Sequence, residues 1–359
     1  MKICLFSDLH AHPYSNGVVL EHGTNSRVLD AVSVINQVYS HSREIGAEFV
    51  LFGGDLFDRR KSIDVDTYNK IHQTILSESR DGIRTILLVG NHDQANKSGT
   101  IHALERFNSG NDCFVADEPQ WWQLDPEAGL GLFAVPYYDD GEIIAEHVVK
   151  GIEYRPNWVK KSILMIHYGI HGAKVGPGDY VIPCELGLPM LHPDKWDIIF
   201  SGHYHIGQQI GPKFHYIGSA MQHRWDDAGF EKTFIVFDTE DLSISREVCN
   251  APEFLVIDND IEDYDVNNKF VRVVRRIDLE EDEKNGVVKF LRDCGALSVE
   301  FRLERTLEET PTERINFSEE KGSYGILEDY VNSDIVSTNN LDVSKLIRIG
   351  KDILSEVVG

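Results

Sequence analysis

The sequence has no apolar run long enough to cross a bilayer, and its opening stretch, MKICLFSDLH, reads as a strand leading into a polar loop and not as a signal peptide. No membrane attachment is expected, and the setting expected is a reducing cytoplasm, that of a phage or bacterial host. Cysteine is scarce: Cys4, Cys113, Cys184, Cys249 and Cys294 are scattered, odd in number and form no CxxC pair. That excludes a disulfide framework and a thiolate zinc site, and leaves the five as small buried hydrophobes. Positive charge is short as well. With 35 Lys and Arg against 59 Asp and Glu, the formal net charge is -24. Such a surface repels nucleic acid, because non-specific affinity depends on neutralising phosphates with Lys and Arg. A polyanionic substrate would need metal ions, a local basic patch or a partner to hold it.

What is present is a chain of 359 residues, 42% hydrophobic, which is enough for one large core and a smaller second unit. Five short apolar runs share one kind of ending. Thr85 to Val89 leads into Asn91-His92-Asp93, Ile3 to Phe6 into Asp8 and His10, and Phe49 to Phe52 into Gly53-Gly54-Asp55. Ser162 to Ile166 ends at His167, and Trp196 to Phe200 is followed by His203 and His205. Uninterrupted apolar runs of this length fit buried strands of a parallel sheet, and ligands of such sheets collect beyond the carboxyl ends. Helical spacing covers Ser26 to Glu44 and Asp66 to Ser79, which makes the class α/β. A short helix over Thr100 to Phe107, an irregular stretch whose Trp121 and Trp122 enter the core, and strands at Leu130–Val135, Phe214–Ile217 and Thr233–Phe237 complete the first domain. His12 and His22 are expected to face solvent.

The polar set is therefore Asp8, His10, Asp55, Asn91, His92, His167, His203 and His205. Carboxylate, imidazole and amide oxygen without thiolate suit manganese, iron or zinc. Seven of the eight fit as ligands of two ions with Asp55 bridging, and His92 remains as a general acid near neutral pH. Two ions about 3.5 to 4 Å apart are a standard device for in-line attack on phosphorus. Asp58 and Arg59 either face this site or pair with each other on the surface. His223, Arg224 and Trp225 lie on a loop near the same sheet edge and are candidate substrate contacts.

In order, DLH, GGD, GNHD, the His of MIHYG and GHYH resemble the calcineurin-like metallophosphoesterase superfamily, over the first two thirds of the chain. The resemblance implies a two-sheet metallophosphoesterase sandwich. Asp8, His10, Asp55 and His205 would hold one ion, and Asp55, Asn91, His167 and His203 the second, with His92 protonating the leaving group. Manganese is the expected metal, with iron and zinc as alternatives.

Within that superfamily, GDLFD, the YIGS turn at Tyr216 to Ser219 and KTFIVFD resemble SbcD-type nuclease subunits of phage, bacteria and meiotic recombination. This implies a metal-dependent DNA exonuclease and endonuclease, a homodimer, acting in repair or recombination. Residues 1–250 would be the nuclease domain and 251–305 a small β-α-β cap that contacts DNA. In the cap, Phe270–Ile277, a helix near Asn285–Arg292 and Leu297–Leu303 form the unit, and FVRVVRR is the most basic stretch. Residues 306–325 read as a linker and 326–359 as a helical tail. Its amphipathic pattern (Leu341, Leu346, Ile349, Ile353, Leu354) either packs back on its own domain or grips an SbcC-like coiled-coil ATPase. Some relatives carry His where this chain has Asp58, which leaves that residue's substrate role open. GDLFDRR also resembles the GDxxDR pattern of phosphatases, where Arg59 would hold phosphate. The alternatives are thus a small-molecule (cyclic nucleotide) phosphodiesterase or a protein phosphatase, and lastly a non-catalytic scaffold.

Overall fold

Alternation along the first strand shows how the core is layered. In β1 (Lys2–Phe6), Ile3 and Leu5 enter one apolar cluster while Cys4 and Phe6 enter another, and all four are fully buried. β2 (Phe49–Phe52) and β3 (Arg84–Leu88) divide in the same way, so these strands read as continuous apolar runs. They belong to a six-stranded mixed sheet with β4 (Cys113–Ala116), β11 (Thr233–Asp238) and β12 (Ile244–Val248), in the order β12-β11-β1-β2-β3-β4. A second mixed sheet contains β5 (Gln120–Asp125), β6 (Leu130–Val135), β7 (Lys161–His167), β8 (Ile198–Gly202), β9 (Gln208–Ile210) and β10 (Phe214–Tyr216). Its order is β5-β6-β7-β8-β10-β9.

The two sheets face each other across Leu5, Leu51, Ile86, Met165 and Phe200. Helices α1 (Ser26–Glu44) and α2 (Val65–Glu78) cover the outer face of the first sheet, and α3 (Gly141–Glu153) covers that of the second. Each helix starts at a side chain that accepts a backbone N–H: Asn25 from Arg27, Asp64 from Thr67 and Asp140 from Glu142. The result is an α/β sandwich of two mixed sheets. Because β1, β2 and β3 run parallel and β7 and β8 run parallel, five carboxyl ends emerge together.

A third sheet, β13 (Glu253–Ile257), β14 (Lys269–Arg275) and β15 (Ser298–Leu303), carries α4 (Glu281–Asp293) and a small core of its own around Val271, Val273 and Leu291. One buried cation fastens it to α1. The Arg27 guanidinium lies 5.0 Å from the Phe270 ring and 5.9 Å from Phe254, and donates to Asp30 and to the Gln222 carbonyl. Trp225 meets Phe254 edge-on at 4.8 Å and receives Arg272 on its face at 4.1 Å.

The structure, a computed structural model, describes residues 1–276 and 279–304, apart from Glu21, Asp81, Asn111, 177–180, 182–185 and 259–260, together with Leu327, Val331 and 343–358. Two compact units result, Met1–Arg302 and Leu303–Gly359, the second containing α5 (Val343–Val358). The linker expected at 306–325, Cys184, Ile277, Leu341 and the side chains of Ile353 and Leu354 lie outside the described residues. So does most of 326–332.

Several local expectations are corrected. In place of a helix over Thr100–Phe107 there is one 3-10 turn, Glu105–Phe107. Asn96 takes the Ile101 N–H on its side chain and donates to Thr100 Oγ1, and so competes with helical bonding. The irregular stretch at Trp121 and Trp122 is the edge strand β5, with one Trp packed on each face of the sheet. Cys4, Cys113 and Cys249 are buried, but Cys294 is exposed at the end of α4. His22 is exposed, whereas His12 is half-buried and edge-on to Tyr14. α3 and β13 are additions; Asp140 followed by Ile144 and Val148 is the signal that marks α3.

Phe200 sits between the sheets with no exposed surface. Phe200→Ala should lower unfolding free energy by about 3 to 5 kcal/mol, measured by denaturant titration.

Candidate metal centre

The loops beyond the five strand ends are held in conformations that side chains rarely adopt. Asp8 (φ 51°), His10 (44°), Asp55 (62°) and His203 (86°) all lie in the left-handed region, at about 1 to 3 kcal/mol each. Backbone bonds between the first two loops compensate: Asp8 N–H donates to Gly54 O at 2.9 Å, and His10 N–H to Asp55 O at 3.0 Å. The site carboxylates add cross-loop ties. Asp8 accepts the His203 N–H at 3.0 and 3.2 Å, and Asp55 Oδ1 accepts the His92 N–H at 2.7 Å.

Asp93, the last residue of GNHD, was not among the predicted site residues. It is fully buried and accepts four backbone N–H groups, from Gly90 (3.0 Å), Asp55 (2.9 Å), Leu56 (2.9 Å) and Phe57 (3.2 Å). The third loop is thereby locked to the second. Gly90 is required for the same junction, because a Cβ there would stand 2.3 Å from Asp55 Oδ1.

Among the described residues three groups of potential ligands result, each with donor atoms within 4.8 Å of one another: Asp8, His10 and His205; His10, Asp55 and His92; Asp55, His167 and His203. The second and third share Asp55, as a bridging carboxylate requires. His167 Nδ1 donates to Gly53 O at 2.7 Å, which leaves Nε2 as the inward lone pair. That Nε2 stands 3.3 Å from Asp55 Oδ2, while His10 Nε2 is 3.6 Å from the same oxygen and 3.1 Å from His205 Nε2. A shared proton satisfies one such pair; divalent cations satisfy the whole set. The residues present therefore fit a two-ion site.

Burial sets the charge states. It pushes His203 down to about 3, with the neighbouring His167 in support, and His10 well below its ordinary value, so both rings are neutral and have lone pairs to offer. Burial also opposes charge on His167, but the Asp55 carboxylate outweighs it and carries that ring up to about 9. A metal taken up by this pair would release its proton.

Around this nest stand residues that position it. His223, predicted as a substrate contact, is buried; its Nε2 donates to Asp8 O at 3.0 Å and its ring lies edge-on to His10. Asp227 joins the His223 loop to His205: it accepts the His223 N–H at 3.0 Å, pairs with Lys232 at 2.7 Å and stands 3.8 Å from His205 Nδ1. Asp58 supplies its carbonyl to His92 Nδ1 at 2.6 Å, and its carboxylate lies 3.8 Å from His10 Nδ1. Arg59 is exposed, with His12 as an electrostatic neighbour, and Arg224 packs its N–H on Asp227. The arginine that reaches the nest is Arg60, whose Nη2 stands 3.0 Å from the Asn91 amide. Tyr137 and Tyr168, also unforeseen, stack 5.8 Å apart and lie near-parallel to His203.

Asp93→Asn keeps the volume but cannot accept at both ends. It should lower stability on the order of 2 to 4 kcal/mol and reduce bound manganese, counted by elemental analysis, below that of wild type.

Residues 1–207 match the calcineurin-like phosphoesterase family. Over 179 residues the chain is 28% identical to "Putative phosphoesterase 078R" of Invertebrate iridescent virus 3, a match covering 49% of this chain and 48% of the relative. Over 231 residues it is 21% identical to "Putative phosphoesterase 244L" of Invertebrate iridescent virus 6, covering 60% and 75%. The chain thus spans about half the length of the first relative. Among solved structures, a dimetal phosphatase from Danio rerio aligns with TM-score 0.37 and 10% identity, over 70% of this chain and 99% of that one. Members of this family use a dinuclear metal site, and the strand-end motifs supply candidate ligands for one. With more than half of its length matched, the chain belongs to the calcineurin-like phosphoesterases.

Proposed function

We propose that this phosphoesterase is a metal-dependent DNA exonuclease and endonuclease, the nuclease subunit of an SbcC–SbcD-like repair and recombination complex. The observation that carries the reading is the third sheet. It is fastened through Arg27, Phe254 and Trp225 to the loop whose His223 supports the metal nest. A polymer lying across an open strand-end site needs a second surface to hold it, and this appended sheet stands where one is useful.

Its basic strand is less free than its sequence implies. Lys269 pairs with Glu253 at 3.3 Å and Arg272 with Glu300 at 2.5 Å. Arg275 and Arg276, which have no ion-pair partner among the described residues, are the cations left for phosphates. In the tail, Ile349 is 44% exposed on the amphipathic α5. That suits the assignment of residues 326–358 to an SbcC-like ATPase, with the nuclease itself as a homodimer.

In this mechanism Asp8, His10, Asp55 and His205 would hold one divalent ion and Asp55, Asn91, His167 and His203 the other. When bound, two divalent ions, here manganese, supply activation of water and neutralisation of charge at phosphorus. Water loses a proton to solvent as its oxygen adds to phosphorus, the bond to the sugar oxygen breaks, and that oxygen takes a proton held at His92 Nε2, which solvent then replaces. His92 carries it: Nδ1 is anchored on Asp58 O, which leaves Nε2 for the cleft, and the ring is half-exposed.

On end-labelled linear duplex DNA with manganese, the wild type should shorten the label and Asp55→Asn should not. His92→Ala should retain both ions and cleave about 10²- to 10⁴-fold more slowly; cleavage at the wild-type rate would remove His92 from its role. Hydrolysis of an aryl phosphodiester without DNA cleavage would move the substrate to a smaller molecule.

A further inference from the structure

Three adjacent parallel strands of the second sheet are each followed by a ring at one level. The register pairs Val135 of β6 with Ile166 of β7, and His167 of β7 with Gly202 of β8. Carried past those pairs, it sets Tyr137 beside Tyr168 and Tyr168 beside His203. The rings lie within 29° of parallel: the Tyr137 and Tyr168 centroids are 5.8 Å apart, those of Tyr137 and His203 6.2 Å, and those of Tyr168 and His203 6.3 Å. In a single column the outer pair would stand about twice as far apart as its neighbours, so the three rings are tiled side by side.

Backbone bonds and close packing fix the tiles. Tyr137 N–H donates to Val89 O at 3.0 Å, and the Tyr137 carbonyl accepts from Gln94 Nε2 at 2.8 Å, which ties this residue to the third strand-end loop. The Tyr168 carbonyl accepts from Ser201 Oγ at 3.1 Å and from the Tyr216 hydroxyl at 3.2 Å. Its ring lies so close to the start of α3 that a Cβ on Gly141 would stand 3.2 Å from it. Yet all three residues keep part of their surface open to solvent. Fixed backbones explain the order of these rings, but not why aromatic surface is left open at the rim of the nest.

We propose that Tyr137 and Tyr168, continued by His203, form a stacking floor for the base of a nucleotide whose phosphoester lies at the nest. Every base has a flat π-face, so such a floor takes bases without reading sequence. Each tyrosine has only two side-chain torsions to fix, so little entropy is lost when a ligand settles on it. The floor begins at His203, a candidate metal ligand. A phosphoester held at the nest therefore brings its neighbouring base over Tyr168 and Tyr137. The two tyrosines act as specificity-determining residues, favouring nucleotide esters over phosphates that carry no base. The inference rests on the phosphoesterase reading of the nest and names its substrate class, of which DNA is one member.

The test is calorimetric titration of the manganese-loaded full chain with three phosphonates, in which carbon replaces the ester oxygen so that no hydrolysis follows. They are the analogue of thymidine monophosphate, the same sugar phosphonate without its base, and benzylphosphonate, which carries an aryl group and no sugar. Wild type should bind the thymidine analogue about fivefold to a hundredfold more tightly than either of the others. Tyr168→Ala should remove most of that preference and Tyr137→Ala part of it, with manganese content and affinity for the base-free sugar as in wild type. Tyr168→Phe and Tyr137→Phe should keep it. Equal affinity of wild type for the sugar phosphonates with and without base would overturn the proposal. So would benzylphosphonate bound as tightly as the thymidine analogue, a preference that survives both alanines together, or a Tyr168→Ala loss shared equally by all three ligands. Since no DNA enters the assay, the preference without DNA cleavage would remove the nuclease reading alone, and DNA cleavage without the preference would remove the floor alone.

Discussion

The carboxylate of Asp93 carries more of this site than any ligand does. By taking four backbone N–H groups it holds the second and third strand-end loops at one fixed separation. A buried carboxylate with both oxygens so engaged is stable only while every donor is in place, so the loops are set together or not at all. Asp55 can then stay at a positive φ, its Oδ1 on His92 and its Oδ2 shared by His10 and His167. Asp8 and His203 repeat the device between the two sheets. Strain in four residues is thus offset by bonds that each cross from one strand end to another.

How much of this was legible depended on the depth of burial. β1, β2, β3 and β7 were clear because both faces are covered, so nearly every residue is apolar until the loop begins. β5 and β13 were not, since half-exposed strands such as QWWQLD mix polar and apolar residues without clean alternation. The candidate ligands stand out as residues that break an apolar run. Asp93 was in plain view inside GNHD, but nothing in a linear motif distinguishes a carboxylate that binds an ion from one that binds N–H groups. Arg60 went unnoticed for a related reason: adjacent side chains of a turn point in different directions, and the turn's dihedral angles decide which one reaches Asn91.

The strongly acidic composition is compatible with a phosphate substrate because of how the nest is charged. Most of its donors are neutral imidazoles and an amide, and only Asp8 and Asp55 bring formal negative charge to the seven-residue set. Two divalent ions against two carboxylates leave a local surplus of positive charge within a negative molecule. Attraction would act at short range, where the phosphate is to be held, while the rest of the surface discourages unspecific adhesion.

The Asp8 to His203 bond also bears on when the centre can exist. Its partners are 195 positions apart, and β1, which precedes Asp8, is walled in by β11 near residue 235. Contacts so distant in sequence form late and slowly. A chain lacking β11 would carry every candidate ligand, the last being His205, yet expose an apolar β1 edge. A complete list of ligands in a shortened chain is therefore no guide to a working centre, because the strand that closes β1 carries none of them.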